Sequence, residues 1–155
     1  MKTTESLAEL KVASIQMVSS ADIKENLATA SRLIKAAAED GAKLITLPEY
    51  FCLMGLKDTD KVQARENIGS GPIQEQLASM AKEHGIFLVA GTIPLAAKDL
   101  NKVLNTTLVF DPNGLSIGRY DKIHLFGFQT KMERYQESET IEPGDIPCLL
   151  YTSDA

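Results

Sequence analysis

Glu49 and Lys122 are the residues whose type and placement best suit chemistry. Glu49 follows Leu44-Ile45-Thr46-Leu47-Pro48, an apolar run closed by proline. It therefore sits just past the C-terminal end of a buried strand, the edge where open α/β sheets bind ligands. A carboxylate there, beside Tyr50 and Phe51, can serve as a general base. The bland alternative is a solvated loop glutamate. Lys122 follows the run Leu115–Asp121 and precedes His124-Leu125-Phe126. An ammonium at a strand end can stabilise a developing oxyanion. Its bland alternative is a surface lysine paired with Asp121. Glu137 lies in Tyr135-Gln136-Glu137-Ser138, ahead of Pro143-Gly144, and shares its loop with Glu133, Glu139 and Glu142. Nothing local distinguishes it from them.

Other reactive side chains are weaker candidates. His124 would need a Ser or Cys partner that the sequence does not single out, so it reads as structural. His84, just before Gly85, suits the C-terminal end of a helix. Cys52 has no local acid–base arrangement and reads as a buried, inert thiol. Gly69-Ser70-Gly71-Pro72 lacks the Lys-Ser/Thr of a phosphate loop and follows no strand, so it reads as a loop opening a helix. No cofactor or metal is implied, because neither histidine has partners at ligand spacing.

The elements that must position these residues alternate strand and helix. Lys11–Met17 reads as a strand. Asp22 with Glu25 marks a helix start, and Ile23, Leu27, Ala30, Ile34, Ala37 and Ala38 fall on one helical face, ending at Gly41. Leu44–Leu47 is a short buried strand. Pro72 opens a second helix, with Ile73, Leu77, Met80 and Ala81 on one face and Gly85 closing it. Ile86–Ala90, Val103–Phe110 and Leu115–Asp121 are three further strands, the last two joined by the turn Asp111-Pro112-Asn113-Gly114. From Asp121 to Gly144 the pattern reads as loop. This order predicts an α/β fold with a mixed sheet and an antiparallel part at its end.

Composition agrees with a folded domain. Of 155 residues, 44% are hydrophobic, enough for one core. A chain of this size buries roughly two-thirds of its unfolded surface. The net charge of −5 argues against a general nucleic-acid binder. No apolar run is long enough to span a membrane, and the first ten residues lack a signal-peptide core. The two cysteines, Cys52 and Cys148, make no disulfide framework. A cytoplasmic location is the simplest expectation.

Taken in order, several segments resemble the nitrilase superfamily of carbon–nitrogen hydrolases. Val12-Ala13-Ser14-Ile15-Gln16-Met17 resembles its first strand. Gly41-Ala42-Lys43-Leu44-Ile45-Thr46-Leu47-Pro48-Glu49 resembles the strand and loop that deliver its catalytic glutamate. Gly91-Thr92-Ile93-Pro94 and Asn105-Thr106 resemble its next strands. Arg119-Tyr120-Asp121-Lys122-Ile123-His124-Leu125 resembles the segment with its lysine, and Glu137-Ser138 before Pro143-Gly144 the segment with a supporting glutamate. The resemblance implies an α-β-β-α sandwich, a mixed sheet with helices on one face, of which this chain carries the N-terminal part. It also implies a Glu-Lys-Cys triad, with Glu49 as base, Lys122 steadying the tetrahedral intermediate and Glu137 orienting Lys122 or the substrate. A cysteine thiolate attacks an amide or nitrile carbon, an acyl-enzyme thioester forms, ammonia or an amine leaves, and water completes the hydrolysis. The implied partner is a small amide or nitrile, within the branch acting on ω-amides, and the full-length protein is implied to be a homodimer or larger.

The departure from the pattern is the nucleophile. The family's Gly-x-x-x-Cys-Tyr-Asp turn has no counterpart: Cys148 is followed by Leu149-Leu150-Tyr151, and Cys52 is in the wrong place. The expected organisation is an N-terminal extension over 1–9, a partial hydrolase domain over 10–147 and a foreign tail over 148–155. That tail resembles the translation of a transposase-type sequencing adaptor. The rival readings are a non-catalytic α/β binding or scaffold domain, separated by whether a Cys-Tyr-Asp-type turn follows in the native frame, and a flavodoxin-like nucleotide binder. The latter is disfavoured because Val18-Ser19-Ser20-Ala21, not a Gly-rich loop, follows the first strand. A partial sandwich exposes the inner face of its sheet. Residues 1–155 alone are expected to be poorly soluble on expression; a monomeric species with a sharp, cooperative thermal transition is the contrary result.

Overall fold

A computed structural model describes residues 9–148, so most of the expected N-terminal extension and foreign tail lie outside the described residues. Five strands form one sheet in the order β1-β2-β3-β4-β5. They are β1 (Val12–Ser14), β2 (Leu44–Thr46), β3 (Phe87–Ala96), β4 (Val103–Phe110) and β5 (Ser116–Asp121). The first three run parallel, and β4 and β5 join antiparallel. Helix α1 (Ile23–Glu39) links β1 to β2, while a short α2 (Asp60–Gln63) and α3 (Pro72–His84) lie between β2 and β3. The sheet is mixed, as the sequence predicts.

Side-chain alternation along the strands decides which face is covered. Ala13, Ile45, Leu88 and Phe110 stand opposite one another in register. They pack beneath α1 and α3 with Leu27, Ala30, Ile34, Ile73, Leu77 and Ala81. Each large aliphatic chain buried there contributes about 1.5–3 kcal/mol of transfer free energy. The neighbouring register row, Val12, Leu44 and Phe87, faces the other way. Val12 is 60% exposed, and Leu44 and Phe87 are half-buried.

Local chemistry starts both long helices. Asp22 caps α1, its Oδ1 accepting from the N–H groups of Lys24 (2.8 Å) and Glu25 (3.1 Å). Glu25 does not close the expected reciprocal box; it accepts instead from Ser20 Oγ at 2.9 Å. The loop over 69–72 does open a helix. Its N-terminus is occupied from within: the buried Glu66 carboxylate accepts from Ile73 N–H (2.6 Å), Gln74 N–H (3.2 Å) and Gln74 Nε2 (3.0 Å). A helix start already holding a carboxylate has no remaining vacancy for a phosphate.

Several boundaries depart from the sequence reading. β1 is shorter than Lys11–Met17, because its partner β2 ends before the turn at Pro48. β3 runs beyond Ala90 to Ala96, passing through Gly91 and Pro94 because it continues to pair with β4. The register shifts between Ala90 and Ile93, a bulge centred on Gly91. The segment expected to be loop contains an antiparallel hairpin, β6 (Gly127–Gln129) and β7 (Arg134–Gln136), then a 3-10 turn over Glu137–Glu139. Its strands are three residues each and mostly exposed, so they carry none of the burial alternation that marks a strand in sequence.

Gly91 shows why the bulge matters. Its φ is 21°, and a side-chain carbon there would run into the carbonyl oxygen of Pro48, the residue before Glu49. Gly91→Ala is expected to cost about 2 kcal/mol or more, read as a lower urea midpoint at an unchanged m-value.

Candidate active site

The C-terminal ends of β2 and β5 and the N-terminal end of β4 meet at one edge of the sheet. Leu47 N–H still bonds Val89 C=O at 3.0 Å, after which Pro48 breaks the ladder and Glu49 emerges. Lys122 follows β5 directly, with its N–H on Asn105 C=O at 2.9 Å and its C=O receiving Gly144 N–H at 2.9 Å. These bonds fix the lysine backbone from both sides. An open depression of about 380 Å³ lies here, lined by Glu49, Lys122, Asn105, Gly91, Thr92, Thr107, Tyr120, Leu47 and Val89.

The three residues singled out from the sequence converge. Lys122 Nζ lies 3.0 Å from Glu49 Oε1 and 3.0 Å from Glu137 Oε2. Lys122 is not paired with Asp121. That carboxylate is taken by Arg119 at 2.9 Å and by Thr106 Oγ1 at 2.6 Å. Sequence separations of 73 between Glu49 and Lys122 and 15 between Lys122 and Glu137 are thus closed by the fold.

The two carboxylates differ in what they have left to give. Glu137 is 4% exposed, and both its oxygens are occupied. Its Oε1 accepts from Tyr50 O–H (2.9 Å) and Lys122 (3.2 Å), and its Oε2 from Phe126 N–H (2.7 Å) and Lys122. Glu49 is 47% exposed. Its Oε1 accepts from Asn105 Nδ2 (2.8 Å) and Lys122, while Oε2 has no protein hydrogen bond among the described residues. An anchored carboxylate with one unengaged, accessible oxygen can exchange a proton. One whose two oxygens are both taken, by three donors, is a fixed counter-charge.

Electrostatics follow the same division. Burial opposes ionisation of Glu137, but the Phe126 N–H, the Lys122 ammonium and the Tyr50 hydroxyl outweigh it and hold its pKa below the ordinary glutamate value. Burial likewise opposes the charge on Lys122, but hydrogen bonds and attraction from Glu137 and Glu49 raise its pKa above the usual lysine value. The lysine is cationic throughout the neutral range.

The remaining candidates lie elsewhere. Cys52 is 1% exposed, with its Sγ 3.8 Å from Thr92 C=O, and burial pushes its thiol up to about 12. It is no thiolate nucleophile at neutral pH. Cys148 and His124 are exposed, and neither lines the depression. His84 occupies the last turn of α3. Among the described residues no cluster of His, Cys, Asp and Glu is placed to share a metal ion. Sequence reasoning did not assign Asn105 or Tyr50 to the site. Asn105 did carry a signal, being a polar residue within the apolar strand Val103–Phe110; it is 3% exposed and so requires a partner.

Lys122→Met is expected to destabilise the fold by on the order of 3 kcal/mol at neutral pH, because it strands Glu137 without its cation. Glu137 contributes above the ordinary glutamate pKa, and that contribution is lost as pH falls through its lowered folded value. Lys122 contributes below the ordinary lysine pKa, and loses it as pH rises through its raised value. The stability gap between the parent and Lys122→Met should therefore narrow in acid and again in strong alkali, as chemical denaturation across pH will show.

Comparisons with known proteins bear on this geometry. The omega-amidase NIT2 of Xenopus tropicalis is 38% identical over 140 residues, covering 90% of this chain and 49% of that protein. A deaminated glutathione amidase of Synechocystis is 34% identical over 145 residues, covering 92% of this chain and 53% of that protein. The chain thus spans about half the length of the curated relatives it matches. In structure it resembles a Saccharomyces cerevisiae member of branch 10 of the nitrilase superfamily, with a TM-score of 0.74 at 30% identity, covering 88% of this chain and 49% of that one. The C. elegans NitFhit protein superimposes with a TM-score of 0.75 at 28% identity, covering 86% of this chain and 33% of that one. The family described as carbon–nitrogen hydrolase matches residues 11–152, and the chain belongs to that family.

Proposed function

We propose that this chain supplies the base and the cation of an amidase site that hydrolyses small ω-amides, with the attacking cysteine provided by a part of the protein beyond it. The observation that carries the reading is Lys122 Nζ, 3.0 Å from both a half-exposed and a sealed carboxylate at the mouth of the depression. The relatives' names, omega-amidase and deaminated glutathione amidase, support an amide as substrate.

Each residue has a distinct part. Glu49 takes the thiol proton through its unengaged Oε2, and the thiolate adds to the amide carbon. A C–S bond forms and the carbonyl π pair moves to oxygen, where the Lys122 ammonium faces the developing charge. Glu49 returns the proton to the nitrogen, the C–N bond breaks and ammonia leaves. Water then attacks the thioester, giving a proton to Glu49 and releasing the acid, and the proton returns to the thiolate. Glu137 exchanges no proton; it keeps Lys122 charged and in place.

The test is ammonia release by the full-length protein from the monoamide of a short dicarboxylic acid, with a nitrile and an N-carbamoyl compound for comparison. Glu49→Gln is expected to lower kcat about 10²–10⁴-fold. Lys122→Met is expected to lower it about 10²-fold or more. Release from no amide, or parental rates in Glu49→Gln, would contradict the proposal.

A further inference from the structure

Tyr50 follows Glu49 directly and is the one non-glycine residue among those described whose backbone lies in the left-handed region, at φ 56°. A residue with a Cβ adopts that conformation only where its surroundings over-determine it. Two hydrogen bonds do so here. Its N–H donates to Thr92 Oγ1 at 2.9 Å, tying the turn that carries Glu49 to the residue after the Gly91 bulge. Its phenol donates to Glu137 Oε1 at 2.9 Å, across 87 positions of sequence. One residue therefore touches both sides of the lysine site: the peptide of Tyr50 fixes the turn that follows Glu49, and its hydroxyl bonds Glu137.

We propose that Tyr50 is a positioning residue for the hydrolysis: its left-handed backbone turns Glu49 into the depression while its phenol holds Glu137, and through it Lys122, in place. This rests on the amidase reading above. Burial and then the neighbouring Glu137 charge keep the phenol well above the ordinary tyrosine pKa, so it remains a donor wherever the site is charged. The groups facing Glu137 are Lys122, the Phe126 N–H and this hydroxyl, with Glu49 on the far side of Lys122. Facing Tyr50 from α2 is Lys61, whose Nζ lies 5.8 Å from the ring centroid. Tyr135 of β7 also feels Glu137, together with Asp58. None of these replaces the lost donor when the hydroxyl is removed. Glu137 Oε1 then keeps only the longer contact to Lys122, at 3.2 Å.

Two readouts on the full-length protein test the proposal. In Tyr50→Phe, kcat should fall about tenfold to a hundredfold with KM little changed. Glu137 should titrate at higher pH than in the parent, followed by carboxyl 13C NMR with Glu137→Gln for assignment, because a donor favouring the carboxylate is gone. A 3-fluorotyrosine at position 50, a stronger donor of nearly the same shape, should move the Glu137 titration downward; it also serves should Tyr50→Phe fail to fold. A tyrosine that only packs would leave the Glu137 titration and kcat unchanged in an active enzyme, which overturns the positioning role alone. A parent inactive on every amide overturns the amidase reading and the positioning role together.

Discussion

Everything at this edge of the sheet depends on one ammonium held between two carboxylates. Lys122 Nζ is 3.0 Å from each, and its side chain is only 23% exposed. A partly desolvated lysine left alone would lose its proton more easily. The two carboxylates reverse that tendency, and their inequality gives the arrangement its direction. Glu137 is sealed and fully bonded, so it serves as counter-charge. Glu49 is anchored through one oxygen and open at the other, so it is the member able to move a proton. The two glutamates thus differ in exposure and in the donors that hold them.

The fold serves that interaction by bringing three distant segments to one edge. β2 ends just before Pro48, after which Glu49 emerges, β5 ends and releases Lys122, and the turn after β7 carries Glu137 back across the site. The backbone holds these ends tightly. Gly91 allows Pro48 to approach β3, and the segment after Glu137 is stitched to β4 by Val103 N–H to Thr140 C=O (3.0 Å) and Glu142 N–H to Val103 C=O (2.8 Å). The hairpin contributes more than a connection. Phe126 N–H bonds the Glu137 carboxylate and Phe126 C=O receives the Glu137 N–H (3.0 Å), so the counter-charge is locked to the hairpin from both its side chain and its backbone.

What the sequence revealed, and what it hid, follows from how each feature is stabilised. The covered face of the sheet was readable because burial imposes a period, as in Leu27, Ala30 and Ile34 or Ile73, Leu77 and Ala81. Glu49 and Lys122 were readable as candidates because strand ends are marked by apolar runs and by Pro48. Glu137 was not readable from its own surroundings, since three other glutamates share the loop; only the ordered resemblance to a family raised it. The length of β3 was obscured because Gly91 and Pro94 look like punctuation, whereas a bulge carries the strand past them. The backbone of Tyr50 left no trace at all. A left-handed conformation is usually announced by Gly or Asn, and here tertiary hydrogen bonds impose it on a tyrosine.

In the proposed reaction Lys122 and Glu49 face the reacting carbon of an amide in the depression they line. The most direct measurement is a crystal structure of the full-length protein with an unreactive small amide bound. The amide is expected in that depression, within hydrogen-bonding reach of Lys122 and Glu49, with Lys122 still bridging Glu49 and Glu137. An amide bound elsewhere, or a Lys122 that leaves both carboxylates when the site fills, would contradict it.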